Sequence, residues 1–180
     1  MGKTQIASEF VYRHKKNFDA IFWVHADEPS KKAHDFSNVA TNLGLESEDS
    51  VEARDTVLTG DPVLGWLTNP LKSYKHLDHQ NPEEASCLVV FDNVDDANIL
   101  EDYWPMGSSA SVLITSRDPL LKTYIYTDDS GHSGISIKSF DQNEATNFLL
   151  KLTHREREAG EKASGQAIVE ALGGLPLAIA

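Results

Sequence analysis

Gly2-Lys3-Thr4 stands at the head of the chain and runs directly into a helical pattern. At a helix start, Gly-Lys-Ser/Thr is the second half of the phosphate-binding loop G-x-x-x-x-G-K-[ST]. Its chemistry is local. Backbone N–H groups and the helix N-terminus wrap the phosphates, the lysine ammonium reaches the β- and γ-phosphates, and the hydroxyl ligates Mg²⁺. By average composition a chain this long carries such a tripeptide by chance roughly one time in ten, so it needs companions.

Two companions follow. Leu88-Val89-Val90-Phe91-Asp92 is an apolar run ending in an acid, which sets Asp92 at the carboxyl end of a buried strand. Open α/β sheets bind their ligands at that edge. A carboxylate there can hold the Mg²⁺ that Thr4 also ligates. A second apolar run closes on Thr115-Ser116-Arg117, so that Arg117 reaches the same edge, placed to sense a γ-phosphate. Taken singly, Asp92 reads equally well as a turn aspartate and Arg117 as a surface arginine. Three such features facing one edge make the site. Asn93, next to Asp92, is a neutral amide and accepts no proton from an attacking water. Asp95 and Asp96 follow closely enough to stand in for it.

The elements that must position these residues are those of an α/β protein with a mainly parallel sheet. Strands are predicted at Ala20–His25, Cys87–Phe91 and Ser111–Thr115, with a weaker fourth at Gly134–Lys138. The first three are nearly continuous apolar runs, as expected of strands covered on both faces. Helices are predicted over Thr4–Lys16, with Ile6, Ala7, Phe10 and Val11 on one face, and over Ser30–Leu43 with Ser30 as N-cap. In the second helix Ala33, Phe36, Val39, Ala40 and Leu43 form the stripe. Residues 44–86 read as a surface excursion with one short helix near Val63–Lys72. After residue 140 the pattern is helical. Asp141 caps a helix bearing Ala145, Phe148, Leu149 and Leu152, and a second helix runs from about Lys162 to Leu172. Gly173-Gly174 ends it, and Pro176 opens a further helix.

The chain has 180 residues, 16 Lys+Arg against 28 Asp+Glu and a net charge of −12. That balance argues against non-specific binding to nucleic acid or anionic membrane, while leaving room for a small anion at a local positive site. The single cysteine, Cys87, forms no intrachain disulfide and suits a reducing compartment. No apolar run reaches the ~18 residues of a membrane span and no leader pattern opens the chain, so the expected location is cytoplasmic. Other constellations carry less. His76 and His79 flank Asp78 without further ligands, and Gly131-His132-Ser133-Gly134 lacks the spacing of a hydrolase elbow. Arg155-Glu156-Arg157-Glu158 reads as a solvated, self-compensating segment, and Trp23, Trp66 and Trp104 as packing residues.

The succession GKTQIA, FDAIFWVHAD, LVVFDNVDD, GSSASVLITSRD and GLPLAIA resembles the NB-ARC domain of STAND-type signalling NTPases, in its filamentous-fungal, NLR-like form. The resemblance spans nearly the whole chain. It implies a three-layer P-loop NTPase domain over residues 1–139 and the start of a helical ARC subdomain over 140–180. It also implies a nucleotide-dependent switch in innate-immunity-like signalling: ADP at rest, exchange for ATP, then self-association. In that reading Gly2, Lys3, Thr4 and Gln5 belong to the nucleotide site, Thr4 and Asp92 hold Mg²⁺, and Asp92 is the Walker B aspartate. Arg117 resembles the sensor arginine, and Pro176 the proline that packs on the adenine. Where many relatives carry a second acid, this chain has Asn93. The strand before the phosphate loop and the loop's first four positions are missing, and the chain stops before the winged-helix subdomain with its ADP-holding histidine. The family places that missing strand between the Walker B and sensor-arginine strands, so an open slot between the two is expected. Two other functions stand beside the switch: a continuously hydrolysing ATPase, and a non-functional piece that binds nucleotide poorly.

Overall fold

The computed structural model describes residues 2–45, 60–72, 83–105, 110–121, 134–158 and 160–180. His76, Asp78, His79 and Gly131–Ser133 lie outside them. Two compact units are present, one of residues 4–133 and one of residues 1–3 with 134–180.

In the first unit, α1 (Lys3–His14) leads through a 3₁₀ turn at Lys15–Asn17 into β1 (Ala20–His25). Then come α2 (Pro29–Leu43), α3 (Gly60–Thr68), β2 (Cys87–Asp92), a short α4 (Asn98–Glu101) and β3 (Ala110–Ile114). The three strands form a parallel sheet in the order β1-β2-β3. All six residues of the middle strand β2 are buried, as its unbroken CLVVF run requires.

The expected slot between β2 and β3 does not exist. The strands pair directly, from Cys87 opposite Ala110 to Phe91 opposite Ile114. Two apolar strands with unpaired backbone groups satisfy them by closing on each other. The predicted fourth strand is also absent. Gly134–Lys138 is irregular and Ile135 is 87% exposed, because those residues group with the second unit and meet no strand there.

One face of the sheet packs on α2 and α3. Cys87, Val89 and Phe91 share a core with Phe36, Val39 and Ala40 of α2 and Val63, Trp66 and Leu67 of α3. Phe36 stacks on Phe91 at 6.3 Å between ring centroids, and Phe22 meets Trp66 edge-on at 5.8 Å. Full burial of such side chains contributes about 1.5–3 kcal/mol each, and Phe36→Ala would cost about 3–5 kcal/mol.

Helix boundaries differ from the sequence pattern for identifiable reasons. α2 starts at Pro29 with Glu28 as N-cap, not at Ser30, since proline has no N–H to satisfy and its φ is already helical. It ends at Gly44, whose φ of 68° lets the amides of Gly44 and Leu45 return to Thr41 and Ala40. In α1 only Ala7 of the expected stripe is buried; Ile6 and Phe10 remain exposed, and Phe10 stacks on His14 one turn later at 4.5 Å. Lys32 is buried on α2. Its Nζ donates to the Ile99 carbonyl at 2.8 Å and lies 3.8 Å from the Tyr103 ring centroid. Desolvation lowers its pKa, against the opposing charge of Asp102.

The second unit holds α5 (Gln142–Leu152), α6 (Glu161–Ala171) and α7 (Pro176–Ile179). Asp141 caps α5 in a reciprocal box with Glu144. Ala145, Val169 and Ile179 form the core, with Phe140, Phe148, Leu149 and Leu172 against it, while Leu152 stays exposed. Gly173 and Gly174 both have positive φ, and a Cβ on Gly174 would lie 2.7 Å from the Phe140 carbonyl. Glycine is required there by conformation and by space. Pro176 is the first residue of α7.

Candidate functional site

The carboxyl ends of β2 and β3 and Thr4, near the start of α1, converge in the first unit. Thr4 Oγ1 donates to Asp92 Oδ1 at 3.0 Å, joining residues 88 apart in sequence. Asp92 is only 6% exposed, so a carboxylate at the end of a buried strand has a hydroxyl beside it as its partner. The same Oδ1 accepts a second hydroxyl, that of Thr115, at 2.5 Å. Among the described residues no donor reaches Oδ2.

Asn93 turns away in the left-handed region at φ 64°. Its N–H donates to Thr115 Oγ1 at 2.9 Å, and the Val94 N–H donates to the Thr115 carbonyl at 2.8 Å. Asparagine tolerates that conformation better than most residues. The chain thus leaves β2 by folding its backbone onto Thr115.

Arg117 reaches this edge but is already engaged. Its Nε donates to Asp95 Oδ1 at 3.0 Å and its Nη2 to Asp95 Oδ2. Asp96 accepts the Asn98 N–H at 3.0 Å at the start of α4. Both acids thus have partners of their own at this edge. Gly2 lies at φ 89°, in a region that favours glycine. Lys3 opens α1 without a hydrogen-bond or ion-pair partner among the described residues, and Gln5 is exposed one residue beyond Thr4. Gly2, Lys3 and Pro176 belong to the second unit.

Two features escaped sequence reasoning. Thr115 looked like the last residue of a strand, yet it is buried and bonds both Asp92 and Asn93. Its signal was a polar residue ending an apolar run, which becomes informative only once the register sets it beside Asp92. The other is His25, register partner of Asp92 on β1, whose backbone N–H and Nδ1 both reach Asp35 Oδ2, at 2.8 and 2.9 Å.

Chemically the cluster suits a hard cation. It combines one buried carboxylate with an unused oxygen and a hydroxyl with spare lone pairs, next to a helix N-terminus. Among the described residues no group of three or more His, Cys, Asp or Glu could hold a metal alone. Magnesium in nucleotide sites uses one or two carboxylates and takes its remaining ligands from phosphate and water.

Fold and cluster together define a parallel α/β domain with a hydroxyl–carboxylate site at the carboxyl edge of its sheet. No protein-family model matches the chain, and no curated protein matches it. No helix among the described residues is long and apolar enough to cross a membrane.

Proposed function

We propose that this chain is the nucleotide-binding part of an NB-ARC-type P-loop switch, taking ADP or ATP with Mg²⁺ at the carboxyl edge of the sheet. One observation carries the reading: the 3.0 Å hydrogen bond from Thr4 Oγ1 to Asp92 Oδ1. A phosphate-loop hydroxyl and a strand-end carboxylate that share a metal must lie within contact of each other, and these two do. Gly2, Lys3 and Gln5 then stand at the phosphates, with the Lys3 ammonium supplying positive charge and the first turn of α1 its N–H groups. Bound Mg²⁺ would neutralise phosphate charge between Thr4 and Asp92. Arg117 senses the γ-phosphate by exchanging Asp95 for it. The Asn93 amide takes no proton from water, so hydrolysis is slow and the site behaves as a timer. In the signalling protein, which acts in the cytoplasm, exchange of ADP for ATP gates self-association.

The test is stabilisation by nucleotide. Millimolar Mg²⁺-ADP or Mg²⁺-ATP should raise the thermal midpoint of the 180-residue chain saturably. Lys3→Ala and Asp92→Ala should abolish the rise. If neither nucleotide moves the midpoint, the reading fails and the chain is a piece without this activity. Phosphate release at ~1 s⁻¹ or faster would mark a turnover ATPase instead of a switch.

A further inference from the structure

We infer that Thr115 is a positioning residue of this site, holding the Asp92 carboxylate with Oδ1 turned inward and Oδ2 left for the cation. The argument starts from a single proton. A threonine hydroxyl donates once and accepts at its lone pairs. The Asn93 N–H already occupies the acceptor side of Thr115 Oγ1 at 2.9 Å, so the proton is directed at Asp92 Oδ1, at 2.5 Å. Asn93 can aim its N–H there because its φ of 64° turns the backbone back over β3.

Asp92 Oδ1 then receives two hydroxyls, from Thr115 and Thr4. That fixes the plane of the carboxylate. Oδ2, with no donor among the described residues, is the oxygen left to a metal. Thr115 is itself held rigidly. It is 7% exposed, its N–H donates to the Phe91 carbonyl at 3.0 Å, and its own carbonyl accepts from Val94 at 2.8 Å. A hydroxyl held by two hydrogen bonds, on a residue whose backbone makes two more, orients a ligand better than a free side chain does. Thr4, by contrast, is exposed on the first turn of its helix. Of the two hydroxyls, Thr115 is the one that can set the carboxylate before any ligand arrives.

This rests on the reading of Asp92 as a cation ligand in a nucleotide site, and the experiment separates the two. ATP affinity is measured by calorimetry with Mg²⁺ and again with EDTA, for the wild-type chain, Thr115→Val and Thr115→Ser. In the wild type, tighter binding with Mg²⁺ than with EDTA is the gain to be followed. Thr115→Val keeps the shape and loses the hydroxyl, so it should lower that gain by roughly tenfold or more while leaving affinity in EDTA unchanged. Thr115→Ser restores the hydroxyl and should stay within about twofold of the wild type. Should the valine variant not fold, Thr115→Cys fills nearly the same space with a much weaker donor and must show the same loss. A full Mg²⁺ gain in the valine or cysteine variant overturns the proposal. An equal loss with Mg²⁺ and with EDTA also overturns it, because Thr115 would then only support the sheet edge. A wild-type chain without any Mg²⁺ gain overturns the cation reading itself, before any variant is compared.

Discussion

Arg117 and Asp95 meet fork to fork, Nε donating to Oδ1 at 3.0 Å and Nη2 to Oδ2, across the ends of β3 and β2. The hydrogen bond to Asp95, and then its charge, raise the arginine's pKa above its ordinary value. A guanidinium held this way is not idle surface charge. For Arg117 to sense a phosphate through this same pair of donors it must give up one anion for another.

Asp95→Asn should therefore raise affinity for ATP relative to ADP several-fold, because the amide releases the guanidinium. Titration with both nucleotides checks this; an unchanged ratio would show that Arg117 does not reach the γ-phosphate. Stability should hardly move, since the Arg117 side chain is 75% exposed and solvent screens the pair.

Asp92→Ala should weaken Mg²⁺-ATP binding far more than binding in EDTA. Equal losses would make Asp92 a structural support of the strand edge, where it receives the Thr4 and Thr115 hydroxyls.

Asn93 tests chemistry and backbone separately. With Mg²⁺-ATP bound as proposed, Asn93→Asp should raise hydrolysis or leave it unchanged, by supplying a proton acceptor next to Asp92; a clear fall would identify the amide as the group that positions water. Asn93→Val should destabilise by about 1–3 kcal/mol, since a β-branched residue is strained at φ 64°, whereas Asn93→Gly should be nearly neutral. Urea midpoints of the two variants check the contrast.

Burial pushes the Cys87 thiol up from 9.0 to about 11. At pH 8 its thiolate is then roughly a hundredfold scarcer than in the unfolded chain. Thiol-exchange reagents should leave the native protein unlabelled and react on unfolding; rapid native labelling would contradict the burial. The sign for stability follows. Between pH 9.0 and about 11 the unfolded thiol ionises and the folded one does not, so this contribution falls as pH rises. The difference between wild type and Cys87→Ala isolates it.

Lys32→Ala should cost about 1–3 kcal/mol, because it leaves the half-buried Ile99 carbonyl without its donor and uncovers the Tyr103 ring. Lys32→Met keeps the stem and should cost less. If the methionine variant equals the wild type in urea, the ammonium contributes nothing to the tie between α2 and α4.

Much of this was legible in the sequence. Unbroken apolar runs gave away the three strands, but full cover on both faces holds only for β2; β1 and β3, at the edges, are mostly half-buried. Asp141 declared a helix start, and Gly173-Gly174 before Pro176 a stop and a new start, because capping is a matter of a few consecutive residues. Thr4 and Asp92 could be matched as partners from their chemistry and their places at element ends alone. What sequence could not decide was adjacency. Pairing β2 directly with β3 depends on which backbone edges find each other, and register is a property of two strands and not of either. That adjacency sets Thr115 beside Asp92. The loops that leave the two strand ends bring Asp95 to Arg117. The GISIK alternation shows the converse: a local period of two became no strand, because a strand needs a partner's backbone groups as well as its own pattern. Local patterns chose the elements and named the candidate chemistry; long-range pairing decided which side chains each candidate touches.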